Sequence, residues 1–156
     1  MQDKVRAVGR AFSCLEAIPL RAGALLASQA GSSNVLFLRL APYASSPEPV
    51  FRFGSHAAPV ASLAVSRNGA LAACGSEAGA LRVWRTFDGA LASEHPLAHR
   101  GGTTAVGFAG VGTVVSGGRD GRLAVWDLAR GQLVAIQWLA LGPCTVTAVA
   151  GWAPHG

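Results

Sequence analysis

The sequence predicts an all-β chain built from repeated four-stranded units. Three observations carry this: a repeat of nearly constant spacing, strand-sized apolar runs separated by glycine-containing turn pairs, and no segment with a convincing helical period. Trp84 and Trp126 lie 42 residues apart, and His56 and His99 lie 43 apart. The text ACGSEAGALRVWR at 73–85 matches VSGGRDGRLAVWD at 115–127, and HAAPVASLAV at 56–65 matches HRGGTTAVGF at 99–108. A period of this size marks stacked units that bury their apolar faces against one another.

In the clearest repeat the strands fall at about 103–108, 112–117, 122–127 and 132–138. Gly110-Val111-Gly112, Asp120-Gly121 and Arg130-Gly131 separate them, and Asn68-Gly69 and Asp88-Gly89 mark the matching turns of the preceding repeat. Asn-Gly and Asp-Gly supply the positive φ angles of tight hairpins. A weaker copy at 24–40 (ALLASQAGSSNVLFLRL) aligns with Ser28 at the Ser116 position, Ser32 at the Asp120 position and Leu38 at the Trp126 position. The stretch 41–50 (APYASSPEPV) is rich in Pro and Ser and reads as a loop. VTAVAGWAPHG at 146–156 reads as the opening strand of another repeat, with 146–152 unpaired. The repeats run approximately 9–53, 54–97 and 98–141, with a further one starting at 142–156.

Composition agrees. Of 156 residues, 51% are hydrophobic and 13% charged, which excludes a disordered chain or a coiled coil. Thirteen basic residues against eight acidic give a net charge of +5, and all but Lys4 of the basic residues are arginines. Charges at Asp3, Lys4, Arg6, Arg10, Glu16 and Arg21 leave no apolar core for a signal peptide. Residues 131–156 carry no charge, yet Gly142-Pro143 breaks a membrane helix and suits a turn between buried strands. Three cysteines without paired spacing do not form a secreted disulfide framework, so a reducing interior, cytoplasmic or nuclear, is expected.

The histidine that opens each repeat, the Ser-Gly-x-x-Asp-Gly turn at 116–121 and the closing Trp126-Asp127 resemble the WD40 family over about 54–131. The resemblance implies WD40-type β-propeller blades. A ring of 4–8 blades of roughly 40–45 residues exceeds this chain, so the ring within it is incomplete. Further blades of a longer protein would complete it, or a second copy in a homodimer. In the family a His, a Ser or Thr, an Asp and the Trp form a hydrogen-bonded tetrad; the matching residues here are His99, Ser116, Asp120 and Trp126. The preceding repeat departs, with His56, Cys74, Ala78 and Trp84 at these positions and Arg85 after the Trp.

Ser116, His99 and Asp120 also invite a catalytic triad, but no G-x-S-x-G elbow accompanies them. Cys14, Cys74 and Cys144 fall in different repeats, and Pro96 separates His95 from His99, so no metal is expected. No cofactor is expected either, since Gly110-Val111-Gly112 lacks a third glycine and a following helix. Phe51-Arg52-Phe53-Gly54 resembles the Phe-Arg-Arg-Gly motif of phosphoinositide-binding propellers, with one of its two arginines missing.

The expected function is a non-enzymatic protein–protein interaction scaffold in a multiprotein complex. In an antiparallel unit the entry loop and the second-to-third-strand turn emerge at one end. This places Arg100, Arg119 and Arg122 together as a candidate partner contact. The alternative is a WD40 subunit of an RNA-associated complex, in RNA processing or ribosome assembly, that uses this basic face.

Overall fold

The computed structural model describes residues 11–39, 48–128 and 132–149. They form three four-stranded antiparallel sheets, each in chain order from one edge to the other. The first holds β1 (Phe12–Ala17), β2 (Ala24–Gln29), β3 (Asn34–Arg39) and β4 (Glu48–Ser55). The second holds β5 (Val60–Val65), β6 (Leu71–Ser76), β7 (Leu81–Arg85) and β8 (Leu91–His95). The third holds β9 (Thr103–Phe108), β10 (Thr113–Gly118), β11 (Arg122–Asp127) and β12 (Val134–Ala140). The third sheet follows the expected strands closely. No helix among the described residues is long and apolar enough to cross a membrane.

The middle sheet is buried on both faces, because alternate side chains of a strand point to opposite sides. Ala72 and Cys74 of β6 join Leu26, Val35, Phe37, Val60, Leu63 and Trp84 in a seam against the first sheet. Ala73, between them, joins Leu81, Val83, Val106, Val114, Ala124 and Trp126 in a seam against the third. The small residues of β6 keep this sheet thin enough to be packed from both sides. Inner strands β1, β5 and β9 are also tied directly. The Cys14 thiol donates to Ala61 C=O at 3.6 Å, and Val106 N–H donates to Ser62 Oγ at 3.0 Å. Three sheets fanned around these inner strands are successive blades of an incomplete ring.

Three expectations are corrected. Residues 48–50 are not loop but the start of β4, an outer strand, where Pro49 takes no bond from a further neighbour; 41–47 lie outside the described residues. The Trp position of the first sheet is Phe37, not Leu38. Ser116 pairs with Ala124 and Cys74 with Arg82, each two residues before the Trp; Ser28 pairs with Val35, two before Phe37. Finally, 144–149 forms no strand. It nevertheless lies along the third sheet: Val146 is buried, its N–H donates to Gly118 C=O at 3.1 Å, and Thr104 Oγ1 donates to its carbonyl. Bonds clustered at one residue anchor a segment without building a ladder. Residues 150–152 of that expected strand lie outside the described residues, as does the Arg130-Gly131 turn.

Candidate functional site

Four of the side chains selected by pattern meet at the junction of the second and third sheets. Ser116 sits near the end of β10, opposite Ala124 of β11, and Trp126 lies two residues further along β11 on the same face. His99 comes from the loop between β8 and β9, and Asp120 from the β10–β11 turn. Trp126 Nε1–H donates to Ser116 Oγ at 2.7 Å. Ser116 Oγ lies 2.7 Å from His99 Nε2, and His99 Nδ1 lies 3.0 Å from Asp120 Oδ1. One arrangement of protons satisfies every atom: Ser116 O–H donates to Nε2, and Nδ1–H donates to the carboxylate. Trp126, His99 and Ser116 are buried.

Asp120 extends the network to the backbone. Its Oδ2 accepts Arg100 N–H at 3.1 Å and its Oδ1 accepts Arg122 N–H at 3.1 Å. Burial alone would raise the Asp120 carboxyl. The hydrogen bonds from His99, the Arg122 N–H and the Arg100 N–H outweigh it and hold the group below its ordinary value. Arg119 Nη1 donates to Gly101 C=O at 3.3 Å. The entry loop and the β10–β11 turn are thus bound into one unit, from which the exposed Arg100, Arg119 and Arg122 project at one end of the sheet.

Sequence reasoning missed two aromatic neighbours. Trp138 of β12 pairs with Ala124, and its ring stands edge-on to Trp126 at 5.4 Å and to His99 at 5.7 Å. His95 of the second sheet approaches the Trp126 ring at 4.9 Å. The signal for Trp138 was its cross-strand register. His95 arrives by packing between sheets, which no local pattern marks. Among the described residues, no three His, Cys, Asp or Glu side chains stand together as metal ligands.

The matching place in the second sheet lacks this network. His56 and Trp84 keep an edge-on ring contact at 5.4 Å. Both His56 nitrogens are buried without a hydrogen-bond partner among the described residues, since Cys74 and Ala78 replace the serine and the aspartate. Burial first, and the Arg82 charge second, push His56 down to about 4 from an ordinary 6.5. Burial, with a smaller contribution from Cys14, pushes the Cys74 thiol well up, away from the reactive thiolate. The unfolded chain therefore takes up a proton at His56 near pH 6.5, while the folded chain waits until about pH 4. Stability from this site is complete above pH 6.5 and falls as the pH drops to about 4. Melts across this window should show the decline, and His56→Gln should reduce it.

The geometry defines a class first: adjacent four-stranded blades locked at their loops are part of a β-propeller. The family model "WD domain, G-beta repeat" matches residues 47–85 and 93–127. Each match takes the outer strand of one sheet together with three strands of the next. The chain carries WD40 repeats and is a partial WD40-type propeller. It is similar to the structure of U3-55K, with TM-score 0.78 and 17% identity over 94% of this chain and 44% of that one. It is also similar to the crystal structure of the RRP9 WD40 repeats, with TM-score 0.76 and 18% identity over 94% of this chain and 43% of that one. The chain therefore spans less than half the length of either. No curated protein matches it. The fold recurs in 1005 chains of known structure, so function has to be argued from the site.

Proposed function

We propose that this chain is a non-enzymatic interaction scaffold, a subunit or adaptor of a multiprotein complex, and that its partner docks on the end carrying Arg100, Arg119 and Arg122. The observation behind this reading is Asp120. One carboxylate holds the backbone of the entry loop and of the β10–β11 turn together while the arginine side chains on both stay exposed. Guanidinium groups on a rigid base suit carboxylates of an acidic protein segment, because little freedom is lost on binding.

His99, Ser116, Asp120 and Trp126 act in this reading as a structural support. Ser116 Oγ already accepts from Trp126 and bonds His99, and the residue is fully buried. A nucleophile needs room for a substrate beside it, and this buried hydroxyl has none.

An RNA-associated complex is the second reading, favoured by the same exposed arginines and the net charge of +5. The test is fluorescence anisotropy of the chain with a glutamate-rich peptide and with a single-stranded RNA. The scaffold reading expects the peptide to bind and Arg119→Glu with Arg122→Glu to weaken it about tenfold or more. Stability should stay within about 0.5 kcal/mol, as for other surface changes. RNA binding that falls steeply with salt, with no peptide binding, would favour the second reading. Binding of both probes unchanged by the reversals would remove the arginine face from the account.

A further inference from the structure

We propose a second docking surface at the opposite end of the blades, built on Leu20 and Phe87, for a partner peptide carrying an apolar anchor flanked by carboxylates. It goes beyond the arginine face and is independent of it.

The first observation is a turn whose chemistry is wrong for its residue. Arg21 N–H donates to Ile18 C=O at 3.3 Å, closing a four-residue turn with Pro19 and Leu20 at its centre. Leu20 has φ 64°, the left-handed conformation that a turn of this shape normally gives to Gly or Asn. It is the one non-glycine residue with positive φ among the described residues. Its side chain contributes nothing to the core, being 93% exposed. A strained backbone that presents an apolar side chain to solvent is an observation from which function can be inferred.

The second observation is the turn bonded to this one. Phe87, 64% exposed, occupies the β7–β8 turn. Arg21 Nη1 donates to the carbonyl of its neighbour Thr86 at 3.4 Å, joining the two turns across the first and second sheets. Thr86 is buried and fixed from below, through Oγ1 to Gly69 C=O and through N–H to Ala70 C=O at 2.9 Å. Pro19 presses on the same place: a Cβ on Gly69 would come within 2.5 Å of its carbonyl oxygen. Leu20 and Phe87 are therefore held by a fixed base, and rigid apolar anchors of this kind dominate interface energetics.

The third observation is charge, which selects the partner. The turns at 18–23, 66–70 and 85–90 contain Arg21, Arg67, Arg85 and Asp88, three positive groups against one negative. Asp88 is already taken by Arg85 at 2.7 Å and by Ala90 N–H at 3.0 Å. The Arg85 guanidinium also stands 5.2 Å from the Phe87 ring centre, so apolar and cationic groups share one patch. Carboxylates flanking an apolar side chain complement it.

The test selects a random dodecapeptide library displayed on phage against the purified full chain. Enriched peptides should combine a large apolar residue with Asp or Glu. Leu20→Gly and Phe87→Ser should each weaken them about tenfold or more, while Arg119→Glu leaves them unchanged. Leu20→Gly should keep or raise the melting temperature, since the turn accepts glycine, so lost binding would not reflect lost folding. Peptides indifferent to both substitutions, or an empty selection, would overturn the proposal. Peptides lost on Arg119→Glu and kept on Leu20→Gly belong to the arginine face and are set aside; a selection that yields only these would overturn the proposal. Self-association of the chain abolished by Leu20→Gly would replace the peptide with a second copy and overturn it likewise.

Discussion

Ser116→Ala should destabilise the chain by about 2–4 kcal/mol, because it strands two buried groups at once. Trp126 Nε1–H loses its acceptor and His99 Nε2 loses its partner, both in a site closed to solvent. Each orphaned group costs on the order of 1–3 kcal/mol, and relaxation around the smaller side chain recovers part of the sum. In a chain of this size the melting temperature should fall by about 5–15 °C. Chemical denaturation of wild type and variant measures the difference. A loss below about 0.5 kcal/mol would mean that the hydroxyl supports nothing.

Gly79→Ala should cost about 2–5 kcal/mol, from two independent sources. Gly79 has φ 95°, where an alanine is strained, and an added Cβ would meet the His99 carbonyl oxygen at 2.0 Å. That oxygen belongs to backbone, so the clash is relieved only by moving the entry loop. Gly79 C=O meanwhile accepts Ala98 N–H at 2.8 Å, His99 N–H at 3.2 Å and Thr103 Oγ1 at 2.8 Å. Displacing the loop therefore weakens the hold of the second sheet on the third and moves His99 away from Ser116. The expected signature is a large fall in denaturation midpoint together with weaker peptide binding at the arginine face. An unchanged midpoint would show that the two sheets are not joined through this turn.

The third sheet was legible because its local signals agree. Asp120-Gly121 supplies the turn, alternation supplies the strands, and Ser116 and Trp126 fall where cross-strand register brings them together. The first sheet was less legible. Ser28 carried the match, but the Trp position holds Phe37, and spacing alone selected the adjacent Leu38 on the other face. Pro49 disguised the start of β4, since proline reads as a breaker although an outer strand tolerates it. The rest depends on contacts between sheets. Neither the approach of His95 to Trp126 nor the bond from Arg21 to Thr86 has a local signature, because each joins residues of different repeats. The patch at Leu20 and Phe87 is therefore visible only once the sheets are packed, whereas the arginine end could be placed from turn positions alone.

The network of His99, Ser116, Asp120 and Trp126 is the central claim, since the arginine end rests on it. Hydrogen exchange of the Trp126 indole N–H, followed by NMR in the intact chain, tests it most directly. The account predicts that this proton exchanges as slowly as the most protected backbone amides of β10 and β11, through global unfolding alone, and that Ser116→Ala speeds it. Exchange of the wild-type indole at the rate of an exposed tryptophan would contradict a buried bond to Ser116, and with it the support proposed for the binding face.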